Sequence, residues 1–259
     1  MTKKQILTII FSGILFLGLY FGTDIRATKQ DSINKTRNLE SEGIGIGSFL
    51  KLAKEQIEPS KLTFIELSEE KLKGVTDTQA RIVILKDLAS AWYKYEQPTI
   101  SGFYAIEIAK LESNENAWSI AGTTFLIGLR NATDQLKRTY CTEQGVKSFE
   151  NAISINPENI NHKLNLALMY VENAPKDTPM KGILMLLDLN KKYPDNVPTL
   201  LALGRLGLKT NQLEKAIARL EKVMALDSEN NIATCLLAEA YGKFGNQEKA
   251  NEFSRKCSR

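Results

Sequence analysis

Apolar residues recur at intervals of three and four from Phe49 to the carboxyl end of the chain, and no long stretch alternates between apolar and polar residues. One clear example is the set Ile82, Leu85, Leu88, Ala89 and Trp92, which falls on one side of a helix. Prolines interrupt the pattern at Pro59 and Pro98, where a helix can begin but cannot easily continue. The pattern predicts an all-α protein whose early helices are separated at these two prolines.

Residues 5–22 form an uncharged stretch, QILTIIFSGILFLGLYFG, directly after Lys3 and Lys4. As a helix this stretch would span about 27 Å, close to the hydrocarbon thickness of a bilayer. We therefore expect a single-pass membrane helix. A cleaved signal peptide is the alternative, although its apolar region is usually shorter. The two lysines favour a cytoplasmic amino terminus, so the expected location of residues 23–259 is outside the cytoplasm, in the periplasm if the source is bacterial.

Composition changes along the chain predict four regions. Residues 1–22 are the anchor or signal, and residues 23–48 are a polar linker that ends in alternating Gly and Ile. Residues 49–114 are a helical amino-terminal part with a degenerate repeat. Residues 115–259 are a repeat array, with repeats near 115–159, 160–196, 197–230 and 231–259.

The array is predicted from an internal offset of 34 residues. Residues 197–230 align with residues 231–259 without a gap, so that Leu203 falls on Leu237 and Ala216 on Ala250. The two earlier segments end in the similar turns Asn156-Pro157 and Tyr193-Pro194 and carry extra residues, about 11 of them near Asn131–Cys141. A 34-residue helix–turn–helix period is typical of solenoids, in which each hairpin buries its apolar face against its neighbours.

These segments resemble the tetratricopeptide repeat (TPR) family. The residues that carry the resemblance are Trp118, Gly122, Phe125, Gly145, Ala152, Pro157, Leu166, Ala167, Tyr170, Gly182, Pro194, Leu200, Leu203, Gly204, Ala216, Leu220, Leu237, Ala238, Tyr241 and Ala250. Gly207 and Ser228 depart from the family pattern, since they stand where Tyr and Pro are expected. The resemblance implies a right-handed α-solenoid of TPR helix pairs, here behind an amino-terminal transmembrane helix. It also implies a concave groove, lined by the first helix of each pair, that binds a protein or peptide.

When the groove positions of the family are transferred to this chain by repeat position, they fall on the first helix of each of the last three predicted repeats. They are Asn161, Leu164, Leu168, Leu201, Arg205, Leu208, Ile232, Cys235 and Glu239. Some TPR domains hold a C-terminal carboxylate with several Lys, Arg and Asn side chains, and Arg205 with Asn161 alone does not make that clamp. A largely apolar groove favours a helix or an extended apolar segment as the partner.

Few residues suggest chemistry. His162 is the only histidine, and we expect it at the surface or as a helix cap. Cys141 is expected to be a free or structural thiol, and no C-x-x-C motif is present. Cys235 and Cys257 lie on the two helices of the last pair; we expect their side chains to face different ways and to remain unbridged, a bridge being the alternative. We therefore predict no catalytic residue, no metal site and no cofactor.

The formal net charge is +4, and no basic tract is present, so we expect no nucleic-acid partner. The function expected from sequence is that of a non-catalytic, membrane-anchored scaffold for a partner protein, whose oligomeric state stays open. Two alternatives remain: a cytochrome c maturation-type assembly factor that presents an apoprotein, and an enzyme with a catalytic region within residues 49–110. Stacked helices without a polar pocket there would disfavour the enzyme.

Overall fold

The computed structural model describes residues 45–257, and every regular element within this range is an α-helix. In chain order the helices α1 to α12 are Ile46–Gln56, Pro59–Gly74, Thr78–Lys94, Pro98–Glu112, Glu115–Asn131, Gln135–Ile155, Ile160–Glu172, Lys181–Lys192, Val197–Lys209, Leu213–Leu226, Asn231–Phe244 and Gln247–Cys257. The all-α prediction is confirmed. Pro59 and Pro98 are the first residues of α2 and α4, as their missing N–H groups allow.

Short polar side chains fix where most of these helices begin. An Asp or Asn immediately before the helix accepts a hydrogen bond from a backbone N–H of the first turn in seven cases. The seven capping residues are Asp77, Asn114, Asp134, Asn159, Asn196, Asn230 and Asn246. At the other end, Gly245 closes α11 with φ of 90°, a conformation that a residue without a Cβ adopts at little cost. These local signals set the lengths of the hairpins.

The helices pair into TPR-type hairpins. We call α3, α5, α7, α9 and α11 the A helices, and α4, α6, α8, α10 and α12 the B helices that follow them. Helices α9 and α11 begin at Val197 and Asn231, and α10 and α12 begin at Leu213 and Gln247, so the last two hairpins repeat at the 34-residue offset read from the sequence. The A helices α5, α7 and α9 each pack on the next A helix as well as on their own B helix.

Small residues let A and B helices approach closely. A Cβ added to Gly204 of α9 would lie 2.8 Å from a methyl group of Leu220 on α10. A Cβ on Gly207 would lie 2.9 Å from the Cβ of Ala216. Gly207, which breaks the family pattern, is therefore the residue that lets Ala216 pack against α9 in place of a tyrosine.

The extra residues near Asn131–Cys141 are mostly helical. Helices α5 and α6 contain 17 and 21 residues, whereas α9 and α10 contain 13 and 14. Only three residues separate α5 from α6. The insertion thus lengthens a hairpin instead of forming a loop, and it places Cys141 inside α6.

The predicted anchor at residues 5–22 lies outside the described residues, together with most of the predicted linker 23–48; α1 begins at Ile46. Among the helices of residues 45–257, none combines the length and the apolar character needed to cross a bilayer.

Candidate binding face

Five of the nine predicted groove residues line one cavity. Leu164 and Leu168 of α7, Leu201 and Arg205 of α9, and Ile232 of α11 border a space of about 290 Å³, which we call the α7–α9 cavity. Because the A helices lie side by side here, side chains predicted from separate repeats converge on a single depression. The role of these residues in binding a partner remains a prediction.

The other four predicted residues do not border this cavity. Leu208 belongs to the core: it is 6% exposed and packs with the cluster around Ala216 and Leu237. Asn161 and Glu239 are exposed, and Glu239 pairs with Lys243 on its own helix at 2.6 Å. Cys235 is bonded to another cysteine, as described below. The inclusion of Leu208 in a surface groove was wrong, because this residue packs into the core cluster that α9 shares with α10 and α11.

The α7–α9 cavity has an apolar floor and a charged rim. Leu186 of α8, which is fully buried, closes the bottom together with Leu164. At one end, Arg130 donates a hydrogen bond from Nε to the Glu172 carboxylate at 2.8 Å, which neutralises both charges. Arg205 and Lys209, one turn apart on α9, also border the cavity, and neither forms an ion pair within residues 45–257. The cavity therefore combines apolar surface with two available cations.

The last hairpin contains a disulfide bond, contrary to prediction. Cys235 of α11 and Cys257 of α12 are covalently linked, with their Cα atoms 4.9 Å apart. The expectation that their side chains face different ways was wrong: in the antiparallel hairpin the two residues lie level and turned toward each other. This link joins the two ends of a hairpin whose second helix contributes only Ala250 to the buried core.

His162 is buried and not at the surface as expected, since only 3% of the residue is exposed. It lies in the first turn of α7, and its Nε2 is 3.2 Å from the carboxylate of Glu115, the first residue of α5. Its Nδ1 has no hydrogen-bond partner among the described atoms. The side chain packs between two A helices because α5 covers the start of α7.

Cys141 is a free, fully buried thiol, in agreement with the expectation of a free or structural thiol. Its Sγ lies 3.3 Å from Thr99 Oγ1 of α4. Burial raises the pKa of this thiol to about 11, so the reactive thiolate is scarce at neutral pH. Cys141 is therefore a structural residue.

A larger cavity escaped the sequence analysis. About 530 Å³ of space lies between the A helices α3 and α5, above the B helix α4, and we call it the α3–α5 cavity. Small side chains surround it, namely Ala89, Ser90, Ser101, Ala105 and Ala117. The sequence analysis did not predict that these small side chains lie around one cavity, because the repeat is degenerate in this region. Each of them nevertheless lies on a predicted helix.

Residues 49–110, the region considered for catalysis, form stacked helices with this cavity at their border. Three charged residues line this cavity, and two of them form an ion pair, Lys86 with Glu112 at 2.7 Å. The hydrogen bond from Lys86 lowers the pKa of Glu112, so this carboxyl group is ionised at neutral pH and is not a proton donor. Within the described range, no group of three or more His, Cys, Asp or Glu side chains could hold a metal ion.

No family model matches the chain, and no curated protein sequence matches it. Several solved structures are similar. MamA of Desulfovibrio magneticus RS-1 is 15% identical, with 71% of this chain and 94% of that chain covered and a TM-score of 0.45. YrrB, described as a TPR protein with an unusual peptide-binding site, is 16% identical over 68% of this chain and 84% of its own, with a TM-score of 0.40. Yeast Tom70 is 14% identical, with 93% and 65% covered and a TM-score of 0.43. At these identities the likeness concerns the fold alone.

Proposed function

We propose that this protein is a non-catalytic scaffold that binds a partner protein on the face formed by its A helices. Residues 5–22 anchor it to a membrane, and the helical array lies on the outer side of that membrane. The partner contributes an apolar segment, helical or extended, that enters the α7–α9 cavity.

The observation that carries the proposal is the composition of the α7–α9 cavity. Leucines of α7 and α8 form its floor, and Leu201 and Ile232 remain partly exposed on its border. An exposed apolar depression rimmed by charged groups is typical of surfaces that bind another polypeptide. Arg205 and Lys209 would pair with acidic groups of that polypeptide, which would favour its encounter and fix its direction.

Two features support the membrane part of the proposal. The first is the uncharged sequence of residues 5–22, which is long enough for a bilayer. The second is the Cys235–Cys257 bond, since structural disulfides persist in oxidising compartments and are rare in the cytoplasm. Tethering to a membrane would raise the effective concentration of the scaffold near a membrane-bound partner.

Photocrosslinking in native membranes tests the groove. A photoreactive residue is placed at Leu201 or at Arg205, and the control is placed at Lys222 of α10, which does not border the cavity. The proposal expects one and the same protein to be captured from Leu201 and Arg205 but not from Lys222. Capture from Lys222 alone would refute the groove. Cytochromes among the captured proteins would identify the assembly-factor alternative.

A fractionation experiment tests the anchor separately. The full chain should sediment with membranes and resist extraction at high salt and alkaline pH, whereas a chain that lacks residues 5–22 should not. An alkaline phosphatase fused after Arg259 should be active if the array lies outside the cytoplasm of a bacterial host. Inactive phosphatase fused to an otherwise folded, membrane-bound chain would reverse the proposed orientation.

A further inference from the structure

Helix α8 has a row of large apolar side chains on its outer surface. Met180, immediately before the helix, and Leu184 and Leu187 within it are 51%, 59% and 40% exposed. None of the three borders the α7–α9 cavity, so this row is separate from the groove proposed above. Exposed apolar side chains that lie together, and not singly, mark a contact surface.

The row is a property of α8 and not of the repeat. Each of four B helices packs one small residue toward its own A helix; these are Gly145, Gly182, Ala216 and Ala250. Relative to Gly182, the row lies two residues before, two after and five after. The same positions in the other three helices hold polar or small side chains, namely Glu143, Lys147, Glu150, Glu214, Ala218, Glu221, Glu248, Glu252 and Arg255. The hairpin therefore does not require an apolar surface there.

The spacing of the row suits a second helix. Met180, Leu184, Leu187 and Lys191 follow one another at intervals of four, three and four residues, which is the spacing of the seam between two helices of a coiled coil. A recess of about 420 Å³, bordered by Met180, Leu184 and Met185, lies at the beginning of this seam. It has room for a leucine side chain from a facing helix.

The charges beside the seam indicate which helix that is. Lys181 and Asp188 are seven residues apart and therefore flank the seam on the same side. The ammonium group of Lys181 lies 3.8 Å from the centre of the Tyr170 ring, and no carboxylate within residues 45–257 balances it. Asp188 is half-exposed and pairs with Lys192 of its own helix at 2.9 Å. When two copies of α8 lie antiparallel, Lys181 of each is opposite Asp188 of the other.

The same charges disfavour two other arrangements. In a parallel pair of α8 helices, Lys191 would lie opposite Lys191 of the other copy, and Lys181 would have no acidic group opposite it. An anionic lipid surface would attract the two lysines but would repel Asp188, which lies beside the same row. The antiparallel pair alone joins opposite charges.

We propose that α8 is a self-association surface, on which α8 of a second copy of this chain packs antiparallel about a two-fold axis. Leu184 of each copy lies opposite Leu187 of the other, and Met180 lies opposite the methylene stem of Lys191. The symmetry forms the pair between Lys181 and Asp188 twice. One helix per copy buries less area than a permanent dimer usually does, so association occurs at micromolar concentrations and dilute protein is monomeric.

Sedimentation equilibrium of the full chain in a density-matched non-ionic detergent measures the association, because the detergent does not contribute to the buoyant mass. Leu184→Glu should weaken it by about tenfold or more, since it brings a carboxylate of each copy into the apolar contact. Ala218→Glu on α10 is the matched control: it makes the same change of charge at the equivalent exposed position and should leave association unchanged. Because both side chains are exposed, both variants should keep the thermal midpoint of dilute wild type, which is the folding check.

Charge reversal tests the antiparallel two-fold contact. Lys181→Glu alone and Asp188→Lys alone each bring like charges together twice, so each should weaken association severalfold. A mixture of these two single variants should recover affinity, because both contacts then join opposite charges. The double variant Lys181→Glu/Asp188→Lys should recover it as well.

Several results would overturn the proposal. One is a wild-type chain that stays monomeric at hundreds of micromolar, and another is equal weakening by Leu184→Glu and Ala218→Glu. A mixture of the charge variants that associates no better than either alone would exclude the antiparallel contact. A fluorophore attached to Leu187→Cys, in anionic nanodiscs that hold one copy of the chain, separates the lipid alternative. Quenching by spin-labelled lipid would assign the row to the membrane, and we expect none.

Discussion

The junction between α7 and α9 and the junction between α3 and α5 have equivalent places in the array, yet one is nearly filled and the other is open. Leu164, Leu186 and Leu203 pack together at the first, which leaves a cavity of about 290 Å³ at its border. Alanines and serines meet at the second, which leaves about 530 Å³. The comparison shows that the repeat fixes where helices lie, while the size of a few side chains decides whether neighbouring A helices close against each other.

The largest effect is expected from opening the filled junction. Leu186 has no exposed surface and packs against Leu164, Leu189 and Leu203. Leu186→Ala should lower the free energy of unfolding by about 3–5 kcal/mol, because a cavity replaces a fully buried side chain. Urea denaturation followed by circular dichroism measures the change.

The neighbouring residue supplies the control. Leu187 is 40% exposed, so Leu187→Ala should cost less than about 1 kcal/mol. If both variants lost the same free energy of unfolding, the junction between α7 and α9 would not depend on the packing of Leu186. Side-chain size would then not explain why this junction is filled and the α3–α5 junction is open.

The terminal hairpin should respond next most strongly, through its disulfide. The bond closes a loop with a sequence separation of 22 residues, and in the chain-entropy model it stabilises the folded hairpin by about 3 kcal/mol. The double variant Cys235→Ser/Cys257→Ser should therefore show faster hydrogen exchange in α11 and α12, with little change in α3 to α6. Wild-type protein treated with a reductant should behave like the variant.

Counting the free thiols can contradict the prediction about the disulfide. Under denaturing conditions without reductant, wild type should react with one maleimide, at Cys141, because the other two cysteines are bonded. Three labelled cysteines would show that the hairpin is held by packing alone.

The terminal hairpin and the α3–α5 cavity also show which features the sequence could predict and which it could not. The apolar spacing of three and four residues, the offset of 34 residues and the breaks at Pro59 and Pro98 can be read directly from the sequence, and they were sufficient to predict the fold. The Cys235–Cys257 bond depends on the rotation of α12 about its own axis, which the turn at Gly245 sets and no periodicity encodes. The α3–α5 cavity depends on the sizes of side chains from three helices together, a property that no single helix displays.

The groove residues illustrate the same limit within one helix. Leu201 and Arg205 of α9 border the α7–α9 cavity, and both were assigned by repeat position. Leu208, two turns along from Leu201, was assigned by the same rule and is buried in the core cluster that α9 shares with α10 and α11. Repeat position gives the side of a helix approximately, and the path of the neighbouring helices decides which residues on that side remain exposed.

A smaller loss is expected where two helix backbones meet. A Cβ on Gly182 of α8 would lie 2.6 Å from the carbonyl oxygen of Ala167 and from the amide nitrogen of Val171 on α7. Backbone atoms cannot rotate away as a side chain can, so Gly182→Ala should lower the free energy of unfolding by about 2–3 kcal/mol through the contact between α7 and α8. Gly74→Ala is the matched control, since a Cβ there meets nothing within 4 Å. The control should be neutral or slightly stabilising, and a Gly182→Ala protein as stable as wild type would mean that α7 and α8 are farther apart.

The smallest expected effect is a pH dependence at Cys141 of α6, whose thiol lies against Thr99 of α4. The thiol has an ordinary pKa of 9.0 in the unfolded chain, and burial raises it to about 11 in the folded protein. Its contribution to stability is therefore complete below pH 9 and is lost as the pH rises from 9 to 11, because only the unfolded chain releases the proton in that interval. By pH 10 the loss should be about 1 kcal/mol relative to pH 8. Urea denaturation of wild type and Cys141→Ala at both pH values measures the loss. The same loss in both proteins would mean that the Cys141 thiol is accessible to solvent in the folded protein, contrary to its burial here.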